Sequence, residues 1–179
     1  MLREILKYPD SRLKQAATSV ENINGDLVQL VDDMVQTMYA APGVGLAAVQ
    51  IGVPQRLVVI DVSHEEPGKH LLKLVNPLIT AREGEIIWEE GCLSVVDYTA
   101  EVRRSAKIEM KAWTPDEREV ILQAEGLLAV ALQHELDHLD GKLFIDRISR
   151  LKRELYGRRI KKLLREGQPL TSHKGPPAI

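Results

Sequence analysis

The chain has 179 residues, of which 44% are hydrophobic and 28% charged, and its formal net charge is −2. A chain of this length is most simply one domain, able to bury roughly 70% of its unfolded surface. The weak charge favours neither DNA nor a membrane as a partner, and no apolar stretch approaches the ~20 residues that span a bilayer. With one cysteine and no apolar leader at its start, the sequence predicts a cytoplasmic protein without an internal disulfide.

The first half of the chain predicts one helix and two buried strands. Asp26 is placed to cap an amphipathic helix of about 13 residues, and Pro42-Gly43 would end it. An apolar run predicts a buried strand at 57–62. A second strand is predicted at 72–76, with Pro77 as its end because proline cannot donate to a ladder.

The second half begins with extended structure. Residues 83–90 predict a strand with a break at Gly84. Residues 106–113 alternate apolar and charged side chains, a turn signal follows at 114–117, and 118–124 predict the returning strand. Antiparallel β-structure is therefore expected before the next helix.

A His-Glu-Leu-Asp-His sequence carries the strongest functional signal. His134 and His138 are four apart, so on a helix both imidazoles lie on one face and can bind one metal ion. Glu135 points off that face, where it can exchange protons with a water beside the metal. The apolar run 127–132 and Gly141 predict a buried helix of about four turns. The alternative is a half-exposed helix whose polar residues are solvated.

A helical histidine pair supplies two ligands, whereas a catalytic site needs a third. One zinc-protease pattern requires a histidine at the position of Phe144, and the later glutamates, Glu154 and Glu166, lie within a basic helix. Cys92 is the better candidate, because a thiolate with two imidazoles suits a borderline or soft divalent ion. Three protein ligands would leave one position for water, as in catalytic sites.

The end of the chain predicts a basic helix and a tail. Ser149 can cap a helix that ends at Gly167 and is rich in arginine and lysine. We assign residues 1–166 to a single catalytic domain and residues 167–179 to a flexible tail. The expected fold class is α+β, with mainly antiparallel sheets packed around a central metal-binding helix and with this C-terminal helix at the end.

Three separated motifs occur in order. They are Gly-Val-Gly-Leu-Ala-Ala-Val-Gln at 43–50, Glu-Gly-Cys-Leu-Ser at 90–94 and Gln-His-Glu-Leu-Asp-His-Leu-Asp-Gly at 133–141. Together they resemble bacterial peptide deformylases, and the likeness covers nearly the whole chain. Members of that family remove the formyl group from the N-terminal formyl-methionine of new polypeptides and release formate. The resemblance implies the same reaction, with N-formylmethionyl nascent polypeptides as substrates.

The resemblance also implies roles for individual residues. The implied metal ligands are Cys92, His134 and His138. The implied ion is Fe2+, with Zn2+ or another divalent ion as the alternative. Glu135 would carry the proton, while the Gln50 amide and the Leu93 backbone N–H would donate to the oxyanion. Gly45 would let the substrate run close to the backbone.

The substrate pocket is assigned to residues beside the motifs: Val44, Trp88, Glu90, Leu127, Val130 and Ala131. The chain departs from the family pattern after Cys92. Val96 and Arg103 stand where prolines are common, and Thr99 stands where arginine is often found. Losing prolines would free this segment and change the rim that grips residues beyond the methionine.

Several interpretations stay open at this point. The basic C-terminal helix is either a solvated surface or a docking element for ribosomal RNA. A zinc endopeptidase and a non-catalytic relative that binds nascent chains or ribosomes are alternatives to the deformylase. The altered segment 95–104 favours the non-catalytic relative, whereas the intact Cys92, Gln50 and Glu135 argue against it.

Overall fold

The computed structural model describes residues 1–63 and 66–170. Its main elements in chain order are α1 (Gly25–Ala40), β1 (Gly45–Ala47), β2 (Leu57–Ile60), β3 (Leu72–Glu83), β4 (Ile86–Cys92), β5 (Val95–Arg104), β6 (Lys107–Trp113), β7 (Glu119–Glu125), α2 (Gly126–Leu139) and α3 (Arg150–Arg165). Short 3-10 helices occupy Ser11–Lys14, Ala48–Ile51 and Phe144–Asp146. No helix in the described part of the chain has the length and hydropathy that crossing a membrane requires.

The strands form two antiparallel units. One is a five-stranded sheet in the order β1-β2-β3-β6-β7, and the other is the β4–β5 hairpin. The predicted hairpin is present as β6 and β7, and the alternation in β6 buries Ile108, Met110 and Ala112. Mixed helices and antiparallel sheets confirm the predicted α+β class.

Helix α2 lies at the centre of the molecule, as predicted. Every residue from 129 to 139 is buried, and its apolar side chains pack against the five-stranded sheet in one cluster. Each fully buried leucine or valine contributes about 1.5–3 kcal/mol. This burial offsets the cost of carrying several polar side chains into the interior on the same helix. A second cluster lies between α1 and the sheet, and a third joins Cys92 to Phe144 and α3.

The predicted start of α1 was wrong by two residues. Asn24, and not Asp26, is the N-cap, and its side chain accepts a hydrogen bond from the Leu27 backbone N–H at 2.9 Å. Asn24 has the extended backbone that a cap requires, whereas Asp26 lies in the first helical turn. The helix therefore has 16 residues.

The predicted end of β3 was also wrong. The strand continues through Pro77 to Glu83, and its register with β6 shifts between Val75 and Leu78. Asn76 takes a positive φ of 51° there, and its side chain bonds to both backbone groups of Val20. Pro77 cannot donate a hydrogen bond to the neighbouring strand. The irregularity accommodates it, so the strand continues.

The segment that departs from the family pattern is a strand, which the sequence did not predict. β5 pairs with β4 along its length. The Val96 carbonyl accepts a hydrogen bond from the Tyr156 hydroxyl at 3.2 Å, and Arg103 pairs with Glu85 at 3.1 Å. The expectation that missing prolines free this segment is therefore wrong for its backbone. Of the predicted tail 167–179, residues 171–179 lie outside the described residues.

Candidate metal centre

Three metal-ligating side chains from different parts of the chain meet at the end of β4. Cys92 Sγ lies 3.2 Å from His138 Nε2, and the two histidine Nε2 atoms are also 3.2 Å apart. In a tetrahedral zinc site the corresponding separations are about 3.6 Å for sulfur to nitrogen and about 3.3 Å for nitrogen to nitrogen. The three side chains are buried. Their donor atoms therefore fit one divalent ion, held through Nε2 of both imidazoles.

The two histidines differ in their electrostatics. Burial opposes protonation of His134, but Cys92 and Glu90 outweigh that effect and raise its pKa well above the usual value. Burial lowers the pKa of His138, and the neighbouring His134 lowers it further. The surroundings of His134, next to Cys92 and Glu90, thus favour a positive charge at this ring. A cation bound here would replace a proton on that ring.

Glu135 is buried beside the histidines. Its two carboxylate oxygens and His138 Nδ1 are the buried side-chain polar atoms that lack a hydrogen-bond partner among the described residues. Burial raises the pKa of Glu135 to about 7. A carboxylate in this setting can gain and lose a proton near neutral pH, as general acid–base catalysis requires.

Gly45 makes room for this carboxylate. A Cβ atom at position 45 would lie 2.9 Å from Cδ and 3.1 Å from Cγ of Glu135, closer than side chains tolerate. Any larger residue would therefore displace Glu135. The Gly45 backbone is in direct contact with the acid on α2, a role in addition to the substrate approach expected from the sequence.

Glu90 lies behind His134, in a buried network of charges. One of its oxygens is 2.9 Å from His134 Nδ1, and Arg104 donates to both oxygens at 2.6 and 2.8 Å. Arg104 also donates to Asp137 at 2.6 Å, which Arg147 binds from the other side. Burial works to raise the pKa of Glu90, but Arg104 and His134 outweigh it and lower the pKa. A charged Glu90 holds the His134 ring in the orientation that directs Nε2 toward His138 Nε2.

Gln50 and the β4–β5 turn also border the site beside Cys92. The side-chain carbonyl oxygen of Gln50 accepts a hydrogen bond from the Ala47 backbone N–H at 2.8 Å. The side-chain NH2 of Gln50 therefore faces the site. That nitrogen donates to Ser94 Oγ at 3.1 Å and lies 3.7 Å from Cys92 Sγ. Leu93 and Ser94 are the two residues between β4 and β5. The Ser94 backbone N–H donates to Cys92 Sγ at 3.4 Å.

The residues assigned to the substrate pocket fall into two groups. Five belong to one hydrophobic cluster around the start of α2: Val44, Trp88, Leu127, Val130 and Ala131. Val44, Val130 and Ala131 are buried, while Trp88 and Leu127 are partly exposed. Glu90 lies apart from this group, fully buried against His134 and Arg104.

Four residues that complete the site were not predicted from the sequence. Arg104, Arg147 and Asp137 form the charge network behind His134. Lys7 donates to the Leu93 carbonyl at 2.5 Å; burial lowers its pKa, and the nearby Cys92 opposes that shift. Of these residues, only Asp137 carries a signal in the sequence. It lies on a helix that the apolar run predicts to be buried, and a buried carboxylate needs a charged or hydrogen-bonding partner.

Known proteins match this chain over most of its length. The polypeptide deformylase family model matches residues 2–154. A peptide deformylase of Syntrophobacter fumaroxidans is 50% identical over 163 residues, which are 91% of this chain and 96% of that protein. One from Thermodesulfovibrio yellowstonii is 51% identical, over 88% of this chain and 96% of that protein. The chain belongs to the peptide deformylase family.

The fold agrees with that membership. The crystal structure of a peptide deformylase from Legionella pneumophila superposes with a TM-score of 0.86 at 45% identity, covering 93% of this chain and 98% of that one. The resemblance based on three motifs is therefore confirmed. In this deformylase, Phe144 occupies the position where one zinc-protease pattern has its third histidine. It is buried, and its ring packs 6.1 Å from that of His134.

Proposed function

We propose that the protein is a metal-dependent amidohydrolase that removes the formyl group from N-formylmethionyl polypeptides and releases formate. The observation that carries this proposal is the buried carboxylate of Glu135, which has no hydrogen-bond partner in the described part of the chain and lies beside a Cys-His-His cluster, in a member of the peptide deformylase family. The intact cluster favours an active enzyme over a non-catalytic relative. The packing of Phe144 against His134 argues against the endopeptidase alternative.

Cys92, His134 and His138 are the proposed ligands, and their donor atoms lie within 4.8 Å of one another. A thiolate with two imidazoles suits Fe2+ or Zn2+, and we propose Fe2+ as the native ion, with Zn2+ as the alternative. When bound, such an ion supplies Lewis acidity, which lowers the pKa of a water in its open position and polarises the formyl carbonyl.

Glu135 is the proposed proton carrier. Its carboxylate accepts a proton from the attacking water as the water oxygen bonds to the formyl carbon, and the carbonyl π pair moves to oxygen. When the C–N bond breaks, Glu135 returns the proton to the departing amine. The products are a free methionyl amine and formic acid, which loses its remaining proton to give formate. The Glu135 pKa of about 7 suits this carboxyl group to both transfers.

Two donors are proposed for the oxyanion that forms during this step. The amide NH2 of Gln50 is held toward the site by the bond from Ala47 to its carbonyl oxygen, and the Leu93 N–H lies in the adjoining turn. Removing one such donor typically costs about 3–4 kcal/mol of transition-state stabilisation. The methionine side chain is proposed to enter the apolar cluster that contains Val44, Trp88 and Leu127.

Helix α3 is the proposed contact with the ribosome, and the cytoplasm is the proposed location. The helix exposes several basic side chains, including Lys152, Arg158 and Lys161. Phosphate contacts of this kind weaken steeply as salt rises. Co-sedimentation with ribosomes at low salt, lost at high salt, is the expected result; no co-sedimentation at low salt would contradict the proposal.

The deciding experiment measures formate. The protein is purified without oxygen, its metal content is measured, and it is incubated with a formyl-Met tripeptide. Formate release is expected from the metal-loaded protein, and an acetyl-Met tripeptide is expected to react far more slowly. A metal-loaded protein that releases no formate would refute the proposal. Cleavage of an internal peptide bond would instead identify an endopeptidase.

A further inference from the structure

The N-terminal segment bonds both to Gln50 and to the β4–β5 turn, which border the metal site. The Leu6 N–H donates to the backbone carbonyl of Gln50 at 2.7 Å, and the Tyr8 N–H donates to the backbone carbonyl of Ser94 at 2.8 Å. Lys7 lies between them and sends its ammonium to the Leu93 carbonyl at 2.5 Å. Three successive residues thus bind the Gln50 segment and the β4–β5 turn.

A single peptide group links Lys7 to the Cys92 sulfur. The Leu93 carbonyl and the Ser94 N–H belong to the same planar amide. That N–H donates to Cys92 Sγ at 3.4 Å. A cation on the carbonyl oxygen polarises the amide and makes its N–H a stronger donor, because hydrogen bonds in a chain reinforce one another at low dielectric.

We propose that Lys7 is a positioning residue of the metal site, which holds the Cys92–Ser94 turn and strengthens the hydrogen bond from Ser94 to the Cys92 sulfur. The inference rests on the proposed function, since it takes Cys92 as a metal ligand and Leu93 as an oxyanion donor. A better-solvated sulfur donates less charge to a bound cation and leaves that cation more Lewis acidic. The bond from Lys7 to the Leu93 carbonyl also fixes the position of the Leu93 backbone N–H, the proposed oxyanion donor.

A purely mechanical role for Lys7 predicts something different. A side chain that only ties down the N-terminal segment would affect stability but not the electronic state of the sulfur. The distinction is therefore spectroscopic. Cobalt(II) bound by a thiolate gives a sulfur-to-metal charge-transfer band, and that band moves to longer wavelength when the sulfur loses a hydrogen bond or a nearby positive charge.

The test uses the full chain loaded with Co2+, without substrate. Lys7→Met keeps the length of the side chain and removes its charge, while Lys7→Arg keeps the charge. Lys73→Met is the matched control, because Lys73 is also a partly buried, paired lysine, bound to Asp32 at 2.7 Å. We expect a shift to longer wavelength in Lys7→Met alone. A folded, cobalt-loaded Lys7→Met with the wild-type band overturns the proposal.

Lys7→Gln keeps the test decisive if Lys7→Met does not fold. It removes the charge but leaves a polar side chain, and the same two outcomes apply to its band. With formyl-Met peptide, either neutral variant is expected to lose about tenfold in kcat at unchanged KM, less than the direct loss of an oxyanion donor. A rise in KM with unchanged kcat contradicts the proposal.

The spectroscopic result does not depend on the reaction. Formate release by wild-type protein together with an unshifted band would remove the role of Lys7 and leave the proposed function intact. A shifted band in a protein that releases no formate would do the reverse.

Discussion

Two buried glutamates lie close to His134, and their surroundings are opposite. Glu90 is bound by Arg104 and by His134 Nδ1, and these partners outweigh burial and lower its pKa. Glu135 has no partner for either oxygen among the described residues, and burial raises its pKa to about 7. The charged form of Glu90 is stabilised by its partners, whereas Glu135 can gain or lose a proton near neutral pH.

This difference suits the two glutamates to different roles: Glu90 orients His134, and Glu135 transfers protons. A residue that orients a ligand must not titrate, because a protonated Glu90 would release the His134 ring. A residue that moves protons must titrate near the working pH. The fold achieves both on neighbouring elements by placing Arg104 beside one carboxylate and the glycine backbone of β1 beside the other.

The largest effect is expected from Glu135→Gln, which removes the proton carrier but keeps the shape of the side chain. We expect kcat for formate release to fall by about 10⁴-fold, the upper end for general acid–base catalysis. Metal content, measured on the same sample, should equal that of wild type. A variant that retains more than a tenth of the activity would show that another group moves the proton.

Gly45→Ala tests the contact that holds Glu135. The added Cβ would lie 2.9 Å from the carboxylate carbon, so the side chain must move. We expect kcat to fall by about 10²-fold, as for a catalytic group displaced by about 1 Å, with a stability loss of about 1–3 kcal/mol from overpacking. Gly25→Ala is the control, because a Cβ there has no neighbour within 4 Å. Equal kinetics for the two variants would contradict the assignment.

Glu90→Gln tests the supporting carboxylate. Loss of the charged acceptor on His134 Nδ1 should weaken metal affinity by about 10–100-fold, the usual effect of removing such a partner. Competition with a chelator measures it. Glu85→Gln is the control, since Glu85 pairs with Arg103 on the exposed surface. If both variants hold metal as tightly as wild type does, Glu90 does not act on the ligand.

The smallest effect concerns stability against pH in the metal-free protein. Burial raises the pKa of Glu135 from 4.5 to about 7, so the folded state binds an extra proton between those values, and its stability falls as pH rises through them. Glu135→Gln should therefore unfold about 10 °C higher than wild type at pH 8, since a shift of this size corresponds to about 3 kcal/mol. The two proteins should unfold together at pH 4.5. A gain that is the same at both pH values would rule out titration as its cause.

The sequence predicted the elements with strong local patterns. The hairpin of β6 and β7 follows from alternation, and the position of α2 follows from an apolar run with histidines four apart. The predicted start of α1 was wrong because Asn24, two residues before Asp26, is also a residue type that caps helices. The predicted end of β3 was wrong because a bulge can carry Pro77 inside a strand. Strand β5 has no such pattern, and its pairing with β4 depends on contacts along the whole hairpin.

By itself, the sequence determined that His134 and His138 face one point, because helix geometry relates residues four apart without reference to the rest of the chain. Its three motifs also determined the family. Only the tertiary structure decided that Glu90 and not a solvent molecule holds His134, that Gly45 touches Glu135, and that Lys7 reaches the turn after Cys92. Those contacts join residues 44, 90 and 86 positions apart, and sheet register and core packing, which no local pattern encodes, bring them together.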